Sequence, residues 1–432
     1  MTIHPDTKAK GRTPRNRWSP ASLFHRLGPG LITGAADDDP SGIATYSQAG
    51  AQFGLNMLWT VVFTYPLMAA VQDICARIGR VTGRGLATNM GQVLPRPAVT
   101  LLVILLFVAN TANIGADLAA MGAAAELLAG RGQAGFAVAF AIGSLFLQVF
   151  VPFHRYVRFL KWMTLALFTY VGVVFSVHIE WGKVLSAILS PDIAWSNEAI
   201  MIVVAVFGTT ISPYLFFWQA SQEVEEANLQ RPQNDLLTHP LDAGAELRRI
   251  NIDTVVGMAF SNLVAFFIML TTAVTLNQAG ITDITTSAEA AQALRPIAGQ
   301  FAFLLFSLGI IGTGLLALPV LAGSAAYAIG ELRGWPTGLE RKPKKAPAFY
   351  AVIALGMGVG LGIIFLPIDP IKALVWSAVL NGIIAVPLMA ATMRVASSSR
   401  QLGPFVAPRW QLALGWAATG TMAAAVIALL IL

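Results

Sequence analysis

Eleven stretches of this 432-residue chain are almost free of charge and long enough to cross a bilayer. They are residues 28–47, 53–76, 98–129, 134–152, 159–178, 198–220, 254–276, 301–329, 349–367, 370–393 and 410–431. No other feature constrains the fold as strongly. A hydrocarbon core of about 30 Å takes ~20 apolar residues as a helix, and inside it every backbone polar group has to be bonded within the protein. Only 12% of the residues are charged and the mean hydropathy is +0.67, against roughly one quarter charged in soluble chains. That little charge cannot cover a large water-exposed surface. The expectation is an all-α integral membrane protein of about 11 transmembrane helices, with the lipid bilayer as its solvent.

Charge placement tests the count independently. With a cytoplasmic N-terminus, alternate loops should hold the Lys and Arg. Twenty-four of the 28 basic residues do fall in that set, and only Arg131, Lys183, Arg295 and Lys372 lie outside it. The net charge of +6 is therefore a topology signal, and no nucleic-acid partner is expected. Residues 1–27 form a basic cytoplasmic arm without the apolar core of a signal peptide. The C-terminus should lie outside, in a prokaryotic inner (plasma) membrane, with a monomer as the working unit. A single cysteine (Cys75) and five scattered histidines exclude a disulfide framework and a zinc cage. No catalytic spacing such as H-E-x-x-H or G-x-S-x-G is present, so neither an enzyme nor a prosthetic group is expected. Glu223, Glu225 and Glu226, on the longest cytoplasmic connection, read as a solvated helix end. Asp73 reads as an interfacial partner of Arg77, and His154 and His178 as residues of span ends.

Two spans carry breaks at the wrong depth. The first contains Ala36-Asp37-Asp38-Asp39-Pro40-Ser41-Gly42. Each carboxylate costs ~2.5–3.5 kcal/mol at mid-span on insertion scales, and proline removes a backbone donor. The helix is expected to unwind at about residues 37–42. The sixth contains Phe207-Gly208-Thr209-Thr210-Ile211-Ser212-Pro213-Tyr214, with Gly208 and Pro213 as its breakers. The two breaks sit five spans apart. Interrupted helices at matching positions of two halves point to the binding site of an inverted-repeat transporter. The halves would be residues 28–178 and 198–393, with 410–432 as an added helix. Carboxylates, freed carbonyls and hydroxyls are hard ligands suited to Mg²⁺, Ca²⁺ or Mn²⁺. An anionic substrate would be repelled, and an amino acid would find its half-helix N-terminus spoiled by the aspartates.

These residues resemble the NRAMP family (natural resistance-associated macrophage proteins), proton-coupled importers of Mn²⁺ and Fe²⁺. Gly28-Pro29-Gly30, Asp39-Pro40-Ser41-Gly42 and Gln48-Ala49-Gly50-Ala51 look like its first-span signature, whose metal motif reads D-P-G-N. Gly208 to Tyr214 resembles its sixth-span motif G-A-T-x-M-P-H. Further similarity covers Asp117-Leu118-Ala119, Asp253, Asn262 and Leu321-Ala322-Gly323. The resemblance implies the leucine-transporter-like 5+5 inverted repeat. It also implies a metal site of Asp39, the Thr209 carbonyl and the residue at 212.

Departures from the family pattern shape the expected function. Gly42 stands where the binding asparagine should be and Ser212 where the methionine should be, so a soft thioether is lost and a roomier, harder site is expected. Tyr214 replaces the sixth-span histidine, and Ala120 replaces the glutamate of D-L-A-E. This set of changes is similar to the NRAMP-related magnesium transporters. Asn110, Asn113 and Asp117 share one helix face and should line water near the site. Asn381 could face the site or serve as a packing amide. Asp37 and Asp38 should attract the hydrated ion, hold bridging waters or ligate it. The expected function is alternating-access transport of a divalent cation, Mg²⁺ and/or Mn²⁺, with weak or absent proton coupling. A proton-coupled Mn²⁺/Fe²⁺ importer and an amino-acid or organic-solute transporter on the same fold are the alternatives.

Overall fold

The computed structural model describes residues 29–152, 155, 164–192, 196–230, 235–240 and 243–431. The basic arm, Gly28, His154, Arg158, Lys161 and Arg231 lie outside them. Among the described residues the chain is helical, with no strand. In chain order the described helices begin with α1 (Pro29–Asp37), α2 (Pro40–Phe53), α3 (Leu58–Thr82), α4 (Leu86–Val93), α5 (Arg96–Ala129), α6 (Gln133–Phe150), α7 (Phe168–Ser176) and α8 (Trp181–Leu189). Then follow α9 (Asn197–Thr210), α10 (Pro213–Gln230), α11 (Ala243–Thr272), α12 (Ser287–Gln292), α13 (Ala302–Arg333), α14 (Pro347–Ile363), α15 (Pro370–Ala396) and α16 (Arg409–Ile431).

Every one of the eleven apolar runs contains helix. Among the described residues eight helical stretches are long and apolar enough to cross a membrane, and the pair Leu165–Ser176 and Trp181–Leu189, bent by 114°, would make a ninth. One of the eight, Pro40–Thr82, holds parts of two runs, and Pro347–Ile363 is a shorter apolar helix. The surface is apolar where lipid would lie: Phe63, Leu101, Ile142, Phe146, Phe175, Leu263, Leu355 and Ile427 are all exposed. Small and polar residues are buried instead, because helices in lipid gain from close backbone packing and internal hydrogen bonds rather than from hiding apolar surface.

Glycine contacts bring the two broken helices against their supports. A Cβ on Gly34 of α1 would lie 2.2 Å from the Gly257 carbonyl oxygen of α11, and one on Gly208 of α9 would lie 2.1 Å from the Ala378 carbonyl oxygen of α15. Only a missing side chain allows either approach. The reading of Gly208 as a helix breaker is thus corrected: α9 continues through it to Thr210, and the residue is there for packing.

Candidate metal site

Both breaks are shorter than expected, and the prolines begin helices instead of interrupting them. In the first, only Asp38 and Asp39 are non-helical, and α2 starts at Pro40. Proline suits the first helical position, where its missing N–H would have had no partner. The unwound stretch of 37–42 therefore contracts to 38–39, with Ser41 and Gly42 inside α2. Pro213 opens α10 in the same way, leaving Ile211 and Ser212 between the half-helices.

Asp39 is the N-cap of α2. Its Oδ1 accepts from the Gly42 amide at 2.7 Å, and its Oδ2 accepts from Asn113 Nδ2 on α5 at 2.9 Å and from the Tyr214 hydroxyl on α10 at 3.3 Å. That hydroxyl also lies 3.2 Å from the Ala36 carbonyl at the end of α1. Asn113 Oδ1 in turn accepts from Ser377 Oγ of α15 at 2.7 Å. The buried carboxylate is thus held by groups from three helices, with Ser377 of a fourth fixing Asn113.

The sixth-span break lies against the first. An ideal Cβ on Gly42 would be 3.1 Å from Thr209 Oγ1, 3.3 Å from Tyr46 Cε2 and 3.4 Å from the Asp37 carbonyl oxygen. The space left by a small residue at 42 is therefore filled by Thr209 and Tyr46, and the roomier site expected there is not found. Ser212 Oγ donates to the Thr209 carbonyl at 2.6 Å and lies 3.0 Å from that of Gly208. It covers the last carbonyls of α9, and the Thr209 oxygen keeps a second lone pair. Two helix C-termini, of α1 and α9, point their negative ends at this region, which favours a cation.

The aspartate triplet divides. Asp37 Oδ2 and Asp38 Oδ1 accept from Ser261 Oγ of α11, at 2.6 and 3.2 Å, whereas Asp39 turns toward α5 and α10. Among the described residues no group of three His, Cys, Asp or Glu side chains converges as a metal cage. The polar face of α5 divides too. Asn110 bonds the Leu321 carbonyl and Ser324 Oγ of α13, each at 2.8 Å, so it is an interhelical seam. Asn113 reaches Asp39, and Asp117 is buried with neither carboxylate oxygen hydrogen-bonded. Asn381 is buried, with its Oδ1 unpartnered; the α15 residue that reaches the site is Ser377, one turn before it. Sequence reading missed Ser377 and Ser261, although the i, i+4 relation of Ser377 to Asn381 was a usable signal.

Polar contacts also tie α1, α4, α10, α11 and α13 together away from the breaks. Asp253 of α11 accepts from the Gly30 amide at 2.8 Å and the Leu31 amide at 3.3 Å, capping α1. Thr33 Oγ1 bonds Gln219 Oε1 of α10. Glu331 of α13 sits on the N-terminus of α4, accepting from the Ala87 amide at 3.0 Å and from Ser221 Oγ at 3.0 Å. The acidic cluster is not a solvated helix end. Glu223 is fully buried and bonds Arg249 at 2.8 Å, and Glu225 accepts from the Tyr327 hydroxyl and from the Glu340 amide. Tertiary partners from α11, α13 and the following loop remove it from water. Asp73 is buried, with Gln411 Nε2 of α16 at 2.6 Å and the charge of Arg77 acting on it.

Two helices broken at mid-span, meeting around a buried carboxylate, define a multi-pass membrane protein of the discontinuous-helix transporter class. The natural resistance-associated macrophage protein-like family, Nramp, matches residues 30–432, and the chain belongs to it. It is 27% identical over 406 residues to the divalent metal cation transporter MntH of Klebsiella pneumoniae, covering 90% of each chain. With MntH of Verminephrobacter eiseniae it shares 29% identity over 377 residues, covering 82% of this chain and 81% of that one. In fold it matches the Eremococcus coleocola manganese transporter, with a TM-score of 0.71 at 16% identity over 97% of this chain and 88% of that one. It also matches Mhp1, a nucleobase-cation-symport-1 family transporter, with a TM-score of 0.58 at 12% identity, over 94% of this chain and 91% of that one. The all-helical, leucine-transporter-like fold expected from the sequence is therefore the one observed.

Proposed function

We propose that this protein carries divalent metal cations across the membrane by alternating access, with Mg²⁺ and/or Mn²⁺ as substrate and little or no proton coupling. One observation carries the reading: Asp39 is buried where two helix C-termini meet, with neutral oxygens of Thr209 and Ser212 at the facing break. Asp39 is the charge on the ion, and the Thr209 carbonyl and Ser212 hydroxyl are its partners from the sixth span. The relatives named as divalent metal cation transporters support the substrate class. Hard oxygen donors at 209 and 212 favour Mg²⁺ and Mn²⁺ over softer ions. A tyrosine at 214, whose ordinary pKa is about 10, offers no group titrating near neutrality in place of a histidine. The repeats 28–178 and 198–393 would form the two moving halves, with eleven crossings, a cytoplasmic N-terminus and a monomer as the transporting unit.

Proton-coupled import of Mn²⁺ or Fe²⁺ is the second reading, favoured by the unpartnered Asp117. Proteoliposomes with an internal metal dye and a pH dye separate the two. Asp39→Ala is expected to abolish Mn²⁺ and Mg²⁺ entry, and an unchanged rate removes the site assignment. Metal entry without acidification is expected; stoichiometric acidification that Asp117→Asn abolishes would establish the second reading instead.

A further inference from the structure

We propose that Asp37, Asp38 and Ser261, with the Tyr46 hydroxyl, form a second station for a divalent cation on the α11 side of the first-span break. It rests on the proposed function only in taking cations to enter this break. Asp37 and Asp38 are 0% and 2% exposed, and both are directed to the one hydroxyl of Ser261. A hydroxyl has one proton to give, so it cannot bond both carboxylates fully at once. Asp37 Oδ1 and Asp38 Oδ2 have no hydrogen-bond partner at all. The charged side chains that act on the pair are carboxylates, Asp39 on both and Asp37 on Asp38. Two buried carboxyl groups that share one hydroxyl leave polar oxygens unsatisfied, and a bound cation would satisfy both at once.

A third group points the same way from another helix. Tyr46 of α2 is completely buried, and its hydroxyl makes no close hydrogen bond, with Thr210 of α9 the polar side chain near it. Its ring lies beside Gly42, close to the Asp37 carbonyl, and Asp37 and Asp38 are the charges acting on it most strongly. The donors are therefore two carboxylates, an aliphatic hydroxyl and a phenol. All are oxygen, which selects a hard ion, and two carboxylates match a divalent charge. Asp39 does not complete this set, because its carboxylate turns away from Ser261 toward Asn113 of α5 and Tyr214 of α10. The triplet thus serves two ions side by side.

Mn²⁺ stoichiometry of the purified full-length protein, read by equilibrium dialysis with electron paramagnetic resonance of free Mn²⁺, tests this. The unaltered chain should bind two Mn²⁺ per molecule. Asp39→Asn should leave one, and the double variant Asp37→Asn/Asp38→Asn should also leave one. Ser261→Ala keeps both carboxylates and guards against misfolding of the double variant. It should weaken one ion at least tenfold and leave the other unchanged. A single Mn²⁺ in the unaltered chain, or two unchanged ions in Ser261→Ala and in a folded double variant, overturns the second station. Two ions that persist in Asp39→Asn would instead remove the primary site of the proposed function and leave this station standing.

Discussion

Glu331→Ala should loosen the end of the molecule where α4, α10 and α13 meet. In the present conformation the Glu331 carboxylate ties α13 to the N-terminus of α4 and to α10, through the Ala87 amide at 3.0 Å, the Thr88 amide at 3.4 Å and Ser221 Oγ at 3.0 Å. Hydrogen bonds to a charged group are worth about 1.5–3 kcal/mol each in favourable cases. The contact lines a cleft of about 560 Å³ with Arg84, Trp335 and Arg341, so water can replace some of what truncation removes. The 3.4 Å bond is also weak. A net loss of ~2 kcal/mol is a fair total on those terms. At about 1.4 kcal/mol per tenfold, it should raise the population of molecules open at this end about 30-fold. Thr33, fully buried between α1 and α10, is a suitable reporter once changed to cysteine. The only native cysteine, Cys75, is fully buried and contributes little background. The initial rate of maleimide modification at position 33 should rise about 30-fold in the Glu331→Ala background. Gly85→Ala provides a second route, because its Cβ would lie 1.7 Å from Glu331 Oε1 and push the carboxylate from its seat. Equal rates in all three backgrounds would refute the latch.

Three further outcomes are expected. Ser212→Met should raise Cd²⁺ transport relative to Mg²⁺ in proteoliposomes, because a thioether is a softer donor than the hydroxyl now at that place; an unchanged ratio would separate Ser212 from the ion. Gly208→Ala should lower the melting temperature and slow transport, since its Cβ would lie 2.1 Å from a backbone oxygen that cannot swing aside, and overpacking costs about 1–3 kcal/mol. Glu289 caps α12, where its side chain accepts from the Thr285 and Thr286 amides and is held below the ordinary glutamate pKa by them. A lowered carboxylate pKa stabilises the cap fully above the ordinary glutamate range and is lost as pH falls through the lowered value. Hydrogen exchange of residues 285–292, corrected for intrinsic rates, should therefore show protection at pH 6 that fades near pH 3 and is absent at both in Glu289→Ala.

Much of the architecture was legible in one dimension because its causes are local. Apolar length has to match a bilayer, and a backbone in lipid has to be helical, so each of the eleven runs could be read as helix. Asp-Pro and Ser-Pro at mid-span marked the breaks for the same reason. Where a proline sits relative to its break was less legible. Pro40 and Pro213 were read as interrupters, but proline needs only that its own N–H have no partner, and the first turn of a helix satisfies that at less cost than the middle.

Side-chain partners across helices were out of reach. Glu223 and Glu225 look like part of any polar helix end until Arg249, Tyr327 and the Glu340 amide are brought to them. Asn110, Asn113 and Asp117 share one face of α5, yet only the packing of α13 and α15 sends Asn110 to Ser324 and Asn113 to Asp39. The aspartate triplet is the sharpest case. Its presence inside a span required a compensating group of some kind, and the sequence alone determined that much. Its division between Ser261 on one side and Asn113 with Tyr214 on the other was decided by the tertiary structure. Consecutive residues at a helix break point in different directions, and which neighbour each one meets depends on helices that lie more than seventy residues away in the chain.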